Sequence, residues 1–264
     1  MCTFEEGITP LQEAAQQEST DVVSFVRDRL GKEPDGRQIE VLTSESKRGI
    51  LNCSRQWGKS TVAAAKAVHR AHTQPGKTVL VASPSERQSA EFLRKAAEMV
   101  RKLGIKPRGD GDNACSLLFP NGSRIVGLPG TEATVRGFSA ISLLLIDEAA
   151  GVEDAMYRSL RPMLAVGEGD LWLMSTPRGK RGFFYEAWEH GGPGWLRVSV
   201  PATECPRIPA RFLEEERTHM GAAWFRQEYM CEFVDNDTSV FGREMVESAL
   251  DSNVRVVDFS GTWD

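Results

Sequence analysis

Residues 53–61 read CSRQWGKST and come one residue after an apolar run at 49–51. An apolar strand, a short loop ending in the triplet GKS at 58–60 and a helix, in that order, are typical of a phosphate-binding loop. The backbone N–H groups of such a loop surround the phosphates of a nucleotide. By average residue usage, the triplet alone occurs in roughly one chain in ten of this length. The fold assignment therefore needs a second motif.

Residues 143–150, LLLIDEAA, supply that motif. A continuous apolar run predicts a strand buried on both faces, here ending in Asp147 and Glu148. Ligands of open α/β sheets bind at the carboxyl ends of the strands, so the two carboxylates are expected near the loop. Acidic residues are also common in the first turn of an ordinary helix, and the pair alone leaves that alternative open. Together with the loop, the pair predicts a nucleoside triphosphate site.

Hydrolysis of a triphosphate bound with Mg²⁺ needs donors around the phosphates, oxygen ligands on the metal and a base for the attacking water. We assign Lys59 to the β- and γ-phosphates, Ser60 to Mg²⁺, and Asp147, on a neighbouring strand, to a metal-bound water. Glu148 is assigned to the activation or orientation of the attacking water. The helix that begins near Ser60 adds its N-terminal amides and positive dipole end. The whole loop is expected to contact the nucleotide: Cys53, Ser54, Arg55, Gln56, Trp57, Gly58, Lys59, Ser60 and Thr61.

The loop departs from the usual pattern at its first position, where Cys53 stands in place of Gly or Ala. This small side chain is expected to fit. Arg55, inside the loop, carries a fork of donors that can reach the γ-phosphate. The alternative interpretation of Arg55 is a solvated loop residue.

Length and composition are typical of a globular α/β enzyme domain. With 264 residues, 41% hydrophobic and 26% charged, the chain can bury a sizeable core as one large domain with short extensions. Its five scattered cysteines indicate neither a disulfide framework nor a zinc site, which favours a reducing compartment. The polar N-terminus lacks a signal sequence, and no stretch reaches membrane-spanning length, so we expect a soluble protein.

The net charge of −5 argues against a generally basic, nucleic-acid-binding surface. Any contact with DNA is therefore expected to be local. Solvated faces of mixed charge are the alternative interpretation of each basic cluster. The candidate clusters are Arg94, Lys95, Arg101, Lys102, Lys106 and Arg108, and, in a loop, Arg178, Lys180 and Arg181.

The alternation of apolar and amphipathic segments predicts strands and helices in turn, which favours a parallel sheet with crossover helices. The turn Pro120-Asn121-Gly122 predicts a hairpin between the strands at 116–119 and 124–128. Further strands are predicted at 49–51, 77–82, 143–147 and 170–174, and helices at 21–30, 34–42, 61–72, 86–103 and 155–164.

Four segments, in this order, resemble the ATPase domain of large terminase subunits, the motors that package DNA into bacteriophage heads. They are CSRQWGKST, TVRGFSAISLLLIDEAA at 134–150, LMSTPRGKRGFFYEAW at 173–188 and WFRQEYMCEF at 224–233. The resemblance covers about residues 34–250. It implies a RecA-like additional-strand P-loop ATPase, an α/β fold with a mostly parallel sheet flanked by helices. It also implies an N-terminal extension at 1–33, the ATPase domain at 34–234 and a C-terminal connector at 235–264.

The resemblance implies roles for residues outside the two motifs. Gln38 is similar to the glutamine that reads adenine through two hydrogen bonds, or is a polar residue on an exposed helical turn. Arg136 is similar to the arginine finger that a neighbouring subunit inserts, or is a loop arginine paired with an acid. Ser175 and Thr176, before Pro177, resemble the coupling motif that hydrogen-bonds the γ-phosphate or Glu148, although a strand-ending turn explains them equally well.

Four other residues are assigned structural roles. Trp224 and Phe225 are expected to be core aromatics rather than platforms for base stacking. His69 and His72 share a helix face, but no third ligand is evident, so a metal site there is not expected.

By this resemblance, the chain is expected to hydrolyse ATP with Mg²⁺ and so power the translocation of double-stranded DNA into a capsid. The implied partners are a portal protein on the procapsid, a small terminase subunit and further copies of the chain in a ring of five, in the host cytoplasm. No membrane partner is expected. Large terminases usually carry a nuclease after the ATPase. Asp251, Asp258 and Asp264 do not supply its acidic cluster, so no nuclease activity is expected from this chain.

Two other classes of function remain open. A helicase-like DNA-dependent ATPase would share these motifs but would need a second RecA-like domain, for which 264 residues leave little room. A nucleotide-dependent switch or clamp would bind ATP to assemble with a partner and hydrolyse it only to reset.

Overall fold

A mostly parallel β-sheet forms the centre of the computed structural model, which describes residues 21–113, 115–128 and 138–234. Within these ranges the sheet has seven strands, and only the pairing of β3 with β4 is antiparallel. The strands are β1 (Arg48–Cys53), β2 (Thr78–Ala82), β3 (Ser116–Leu118), β4 (Arg124–Leu128), β5 (Leu143–Asp147), β6 (Asp170–Ser175) and β7 (Leu196–Val200). They lie in the order β3-β4-β2-β5-β6-β1-β7.

Helices cover both faces of this sheet. They are α1 (α-helical over Val22–Ser24 and π-helical over Phe25–Arg29), α2 (Gly36–Thr43), α3 (Lys59–Thr73), α4 (Glu86–Lys102), α5 (Asp154–Leu160), α6 (Gly182–His190), α7 (Ala210–His219) and α8 (Ala222–Glu228). Side chains from α1 to α4 form one core cluster against the sheet, and α5 and α6 form a second against the other face. All five residues of β5 are buried, as expected of a strand covered on both sides.

Local sequence determines where the helices that border the site begin and end. Asp35 accepts a hydrogen bond from the backbone N–H of Gln38 and starts α2 as a capping box. Ser85 is the N-cap of α4, and its hydroxyl accepts a hydrogen bond from the N–H of Gln88. Gly104 follows the end of α4 with a φ of 75°, a backbone conformation that favours glycine.

The predicted α/β architecture is confirmed. The hairpin of β3 and β4 forms as its turn predicted. Strand β7 was not predicted, although residues 196–200 alternate apolar and polar side chains after the turn-forming run Gly191-Gly192-Pro193-Gly194. One predicted neighbour relation is wrong. The strand that carries Asp147 does not adjoin the loop strand β1, because β6 lies between them.

Part of the segment assigned to an N-terminal extension belongs to the core. Helix α1 forms over the predicted range, and Phe25 and Leu30 are buried in the cluster that covers the loop face of the sheet. The rings of His69 and His72 contact Phe25, with centroids 5.1 and 5.7 Å away. The division at residue 33 stays a prediction.

The two aromatic residues near the end of the described chain behave differently. Phe225 packs against Leu213 and Tyr229, as expected of a core residue. Trp224 is 60% exposed, so its assignment to the core is wrong. The two are adjacent on helix α8, and only one of two adjacent positions can face α7.

Within the described ranges Cys53, Cys115, Cys205 and Cys231 are free cysteines. None of the helices that the structure describes is long and apolar enough to cross a bilayer.

Candidate nucleotide-binding site

The loop at 53–61 connects the carboxyl end of β1 to the first turn of α3. Its backbone reverses through Gln56 and Gly58, which have φ angles of 67° and 99°. A Cβ at position 58 would also lie 3.2 Å from the Nε2 of Gln38, so glycine suits this position for two reasons. The carbonyl of Gly58 accepts from the N–H groups of Thr61 and Val62 at 2.9 and 3.0 Å, which starts the helix.

Four side chains from the two sequence motifs meet beside this loop. The Nζ of Lys59 lies 3.4 Å from the Oε1 of Glu148. The Oγ of Ser60 donates to the Oδ1 of Asp147 at 3.2 Å. The structure thus brings together the cation and the hydroxyl of α3 and the two carboxylates that end β5.

The two adjacent carboxylates occupy different environments. Asp147 is 6% exposed, and this burial, together with the charge of Glu148, raises its pKa to about 6. The hydrogen bond from Ser60 and the charge of Lys59 act in the opposite direction. Glu148 is about one-third exposed, and its backbone lies in the left-handed region with a φ of 52°. A non-glycine residue in that conformation is strained by about 1 kcal/mol, and such strain is common at functional sites.

Ser175 and Thr176 lie at the end of β6, between the loop strand and the strand that carries Asp147. Ser175 pairs in register with Asn52 of β1, and Met174 pairs with Asp147 of β5. Both hydroxyl residues are buried. They therefore lie at the sheet edge where the motif residues meet, as their sequence position predicted.

Other buried polar atoms at this edge lack hydrogen-bond partners. Among the described residues, no group bonds the Oδ1 of Asn52 or the Oγ atoms of Ser54 and Ser83. Asn52 is the next-to-last residue of β1, Ser54 directly follows β1, and Ser83 directly follows β2. Because buried polar atoms are usually paired, such atoms indicate a place suited to polar ligands or water.

A cavity of about 600 Å³ opens at this edge. One side, which we call the loop side, is lined by Lys59, Ser60, Thr61 and Glu148. A second part of the lining, which we call the helical wall, comes from α1, the segment after it, α2 and α3. Its members Val26, Pro34, Leu42, Val62 and Ala65 are apolar, Gln38 is polar, and Lys32 and Glu33 add charges beside them. A lining with polar and apolar parts suits a ligand with a charged end and a flat organic end.

Gln38 occupies the helical wall and is already engaged through its amide. Its Nε2 donates to the carbonyl of Trp57 at 3.1 Å, and its Oε1 accepts from the N–H of Asp35 at 3.2 Å. Only 8% of Gln38 is exposed, so the alternative of an exposed helical turn is wrong. One N–H and one lone pair of the amide remain available for a ligand.

Arg55 lines the cavity but is tied to a residue that sequence reasoning missed. Its Nε donates to the Oε2 of Glu228 at 2.7 Å, and Glu228 is a buried residue at the end of α8. The Arg55 side chain is nevertheless 68% exposed, and its contact with the γ-phosphate stays a prediction. Glu228 belongs to the segment WFRQEYMCEF, but nothing in the sequence linked it to the loop.

Arg207 is a second residue that sequence reasoning missed. Its guanidinium donates to the carbonyl of Trp57 and lines the same cavity. It precedes α7 in a segment without a recognisable motif, so no sequence signal pointed to it.

Not every predicted loop residue lines the cavity. Cys53, Ser54 and Trp57 are buried beneath the loop, where burial raises the pKa of the Cys53 thiol. The Sγ of Cys53 contacts the carbonyl of Val198 at 3.8 Å, so a small side chain fits at this first position. Arg136, the predicted finger, lies outside the described residues.

These features define a class of protein. The phosphate-binding loop leads into α3, and β6 separates the loop strand from the carboxylate strand, which together are the arrangement of a RecA-like P-loop ATPase. Residues 50–248 match the family described as "Terminase large subunit, T4likevirus-type, N-terminal". The chain belongs to this family.

Individual relatives agree with this assignment. The terminase large subunit of Thermus phage G20c is 27% identical over 80% of this chain and 51% of its own length, and that of Escherichia phage T5 is 25% identical over 83% and 52%. The chain thus spans about half the length of these curated relatives. The large terminase ATPase domain of Thermus phage P74-26 has a similar fold, with a TM-score of 0.70 and 23% identity over 79% of this chain and 97% of that chain.

Proposed function

We propose that this chain is the ATPase motor domain of a terminase large subunit, which hydrolyses ATP to drive double-stranded DNA into a viral capsid. The observation that carries the proposal is the meeting of Lys59 and Ser60 with Glu148 and Asp147 beside one cavity. Each element of this set has a counterpart in the requirements of phosphoryl transfer. Membership of the family supports the link to DNA packaging.

Adenine nucleotides fit the two sides of the cavity. The apolar side chains of the helical wall suit a purine ring. The remaining N–H and the remaining lone pair of the Gln38 amide match the donor and acceptor on the edge of adenine. The large terminase of bacteriophage D6E, whose fold is similar with TM-scores of 0.63 and 0.64, is described in complex with ADP and with ATP-gamma-S. At 15% and 14% identity, this likeness concerns the fold alone.

The residues present also suit Mg²⁺. Within the described ranges no cluster of three or more His, Cys, Asp or Glu side chains could hold a metal alone. Mg²⁺ usually takes one or two protein oxygens and completes its shell with water and substrate phosphates, so the Oγ of Ser60 and a carboxylate oxygen of Asp147 fit that pattern. Bound there, the metal would neutralise charge developing on the phosphates.

The contacts of Lys59 and Glu148 indicate how the site responds to a triphosphate. The ammonium of Lys59 and the carboxylate of Glu148 form an ion pair. A phosphate chain in the loop attracts Lys59, which leaves the carboxylate of Glu148 without its cation. Glu148 then orients a water molecule and accepts its proton. Ser175 and Thr176, at the end of the neighbouring strand β6, provide hydroxyls that respond to the loss of the γ-phosphate.

The proposal includes further copies of the chain and further proteins. Arg136 would complete the site of a neighbouring subunit, which requires a ring, taken to be of five subunits. The ring would assemble on the portal of a procapsid in the host cytoplasm, with a small terminase subunit as partner. An isolated chain is therefore expected to hydrolyse ATP slowly.

Phosphate release by the purified chain tests the proposal. We expect slow hydrolysis alone, stimulation by portal-bearing empty capsids together with double-stranded DNA, and no separation of DNA strands. Strand unwinding would favour the helicase-like alternative. Hydrolysis stimulated by empty capsids without any DNA taken up would favour the clamp, and absence of ATP binding would overturn the proposal altogether.

A further inference from the structure

Lys66 is a buried lysine two turns after Lys59 on α3, outside the cavity. It is 7% exposed, and no carboxylate within the described ranges forms an ion pair with it. Its Nζ instead donates to three backbone carbonyls, those of Val41, Leu42 and Ser44, at 3.1, 3.3 and 3.2 Å. All the N–H groups of the ammonium are thereby used.

These carbonyls belong to the C-terminal end of α2 and its cap. The last carbonyls of a helix have no partner within the helix and form the negative end of its dipole, so a cation is well placed there. The Nζ also lies 4.5 Å from the ring centroid of Trp172 on β6. The indole lies against Gly49 of β1, where a Cβ would overlap it. Lys66 thus connects α2 to α3 and, through the indole, to the sheet.

Helix α2 is held at its other end by the phosphate loop. Gln38, in its first turn, donates to the carbonyl of Trp57. In its last turn, Leu42 lines the cavity with its side chain while its carbonyl accepts from Lys66. Movement of the C-terminal end of α2 would therefore displace residues of the helical wall.

Stability alone does not account for a lysine at this position. Burial, with the charge of Arg70, lowers the pKa of Lys66 to about 8. Asp170, the nearby acid, is paired with Arg70 at 2.5 Å. Because burying a cation is unfavourable unless its bonds compensate, an apolar side chain of similar length would fill the same space at lower cost. The three bonds to carbonyls fix the position of α2 in a way that an apolar side chain could not.

We propose that Lys66 is a positioning residue for the nucleotide, which holds α2 against α3 and so keeps Gln38 and Leu42 in place in the helical wall. This inference rests on the proposed function, because it assigns the wall to the adenine ring. Lys66 itself touches neither the loop nor the carboxylates. Its loss is therefore expected to weaken adenine binding and to leave the hydrolytic step unchanged.

The test compares Lys66→Met with the control Lys47→Met, which removes an exposed lysine paired with Glu168. Calorimetric titration with ADP is expected to give a Kd about threefold to tenfold higher for Lys66→Met, as for one or two misplaced hydrogen bonds. KM for ATP should rise with it, kcat should stay within about twofold of wild type, and preference for ADP over GDP should fall. Unchanged ADP affinity and preference, or loss of kcat alone, would overturn the inference.

Hydrogen exchange of the amides at 36–44 separates this inference from the proposed function, because it needs no nucleotide. Faster exchange in Lys66→Met, but not in Lys47→Met, supports the positioning of α2. If the wild-type chain binds no nucleotide, the proposed function fails, even if Lys66→Met speeds hydrogen exchange at 36–44. If the wild type binds ADP and exchange is unchanged in Lys66→Met, the positioning role alone fails.

Should Lys66→Met not fold, the wild-type chain provides the test. The charged groups facing Lys66 are Arg70 on its own helix and Asp170 of β6, which pair with each other, while α2 presents carbonyls and carries the surface pair Arg37–Glu40. ADP affinity should fall as the pH rises from about 7 to about 9.5, because the neutral amine has one N–H fewer to donate. Constant affinity over that range would overturn the inference.

Discussion

The loop side of the cavity is built from strand ends, whereas the helical wall is built from helices that pack on one another. Lys59, Ser60, Asp147 and Glu148 all lie within two residues of the end of a strand or the start of a helix. Their positions follow from backbone geometry that the sheet fixes. In the helical wall, Gln38 and Leu42 depend on side-chain contacts to Trp57 and Lys66.

This difference separates two kinds of change. A substitution on the loop side removes a group that acts on the phosphates or the metal, so its effect on binding or turnover should be large. A substitution in the helical wall alters a surface that several contacts support together, so its effect should be smaller and should concern the choice of base. The predictions below test this contrast, beginning with the largest expected effect.

Replacing Glu148 by Gln should have the largest effect. The amide keeps the shape of the side chain but cannot accept a proton, so turnover should fall by about 10²- to 10⁴-fold. ATP binding should be retained, because Lys59 loses its competing carboxylate. Steady-state phosphate release and calorimetry measure the two quantities. Glu153→Gln, an exposed acid in the same segment, is the control, and wild-type turnover in Glu148→Gln would show that the catalytic assignment is wrong.

Replacing Lys59 by Ala should strongly weaken nucleotide binding. The buried ammonium of Lys59 lines the cavity at the start of α3, and its removal should raise the Kd for ADP by about 100-fold, as expected for a desolvated charge pair of about 3 kcal/mol. It also leaves Glu148 without its partner. Calorimetry with ADP measures the loss, with Lys47→Ala as the matched control. Retained affinity in Lys59→Ala would place the phosphates elsewhere.

The contrast between the two sides also explains what the sequence could predict. The loop and the Asp-Glu pair are local patterns, and their meeting follows once a parallel sheet brings the carboxyl ends of its strands to one edge. The α/β class followed from the alternation of elements. The order of the strands could not be predicted in the same way. Strand β6 lies between β1 and β5, and no pattern in residues 170–175 indicates this position in the sheet.

The remaining parts of the site depend on contacts between distant segments. Glu228 meets Arg55 across 173 positions, and Arg207 meets Trp57 across 150. No periodicity or spacing encodes such pairs, because each depends on how the last helices fold back on the loop. In the sequence Lys66 is an ordinary helix residue, and only the structure shows that it donates to the carbonyls at the end of α2.

Replacing Asp147 by Asn should stabilise the apo protein near neutral pH while it removes activity. Burial raises the pKa of this carboxyl from 3.8 to about 6, so the native state holds its proton more tightly than the unfolded state does. Between these two values the free energy of unfolding falls as the pH rises, and the loss persists above pH 6. Because Asn carries no charge, Asp147→Asn should raise the free energy of unfolding by about 1–3 kcal/mol at pH 7.5 and by little at pH 3.5. Thermal unfolding at both pH values measures this, with the exposed Asp28→Asn as control; equal gains at both pH values would contradict the environment described for Asp147.

Replacing Gln38 by Ala should have the smallest effect and the most selective one. The carbonyl of Trp57 keeps Arg207 as a donor, so the loop should hold its shape, while the amide that matches the adenine edge is lost. Affinity for ADP should fall by about threefold to tenfold and affinity for GDP should stay the same, since one or two hydrogen bonds are involved. Competitive titration with the two nucleotides measures the ratio, and Gln88→Ala on α4 is the control. If both nucleotides weakened equally, Gln38 would act through the loop rather than on the base, and the helical wall would no longer be distinct from the loop side.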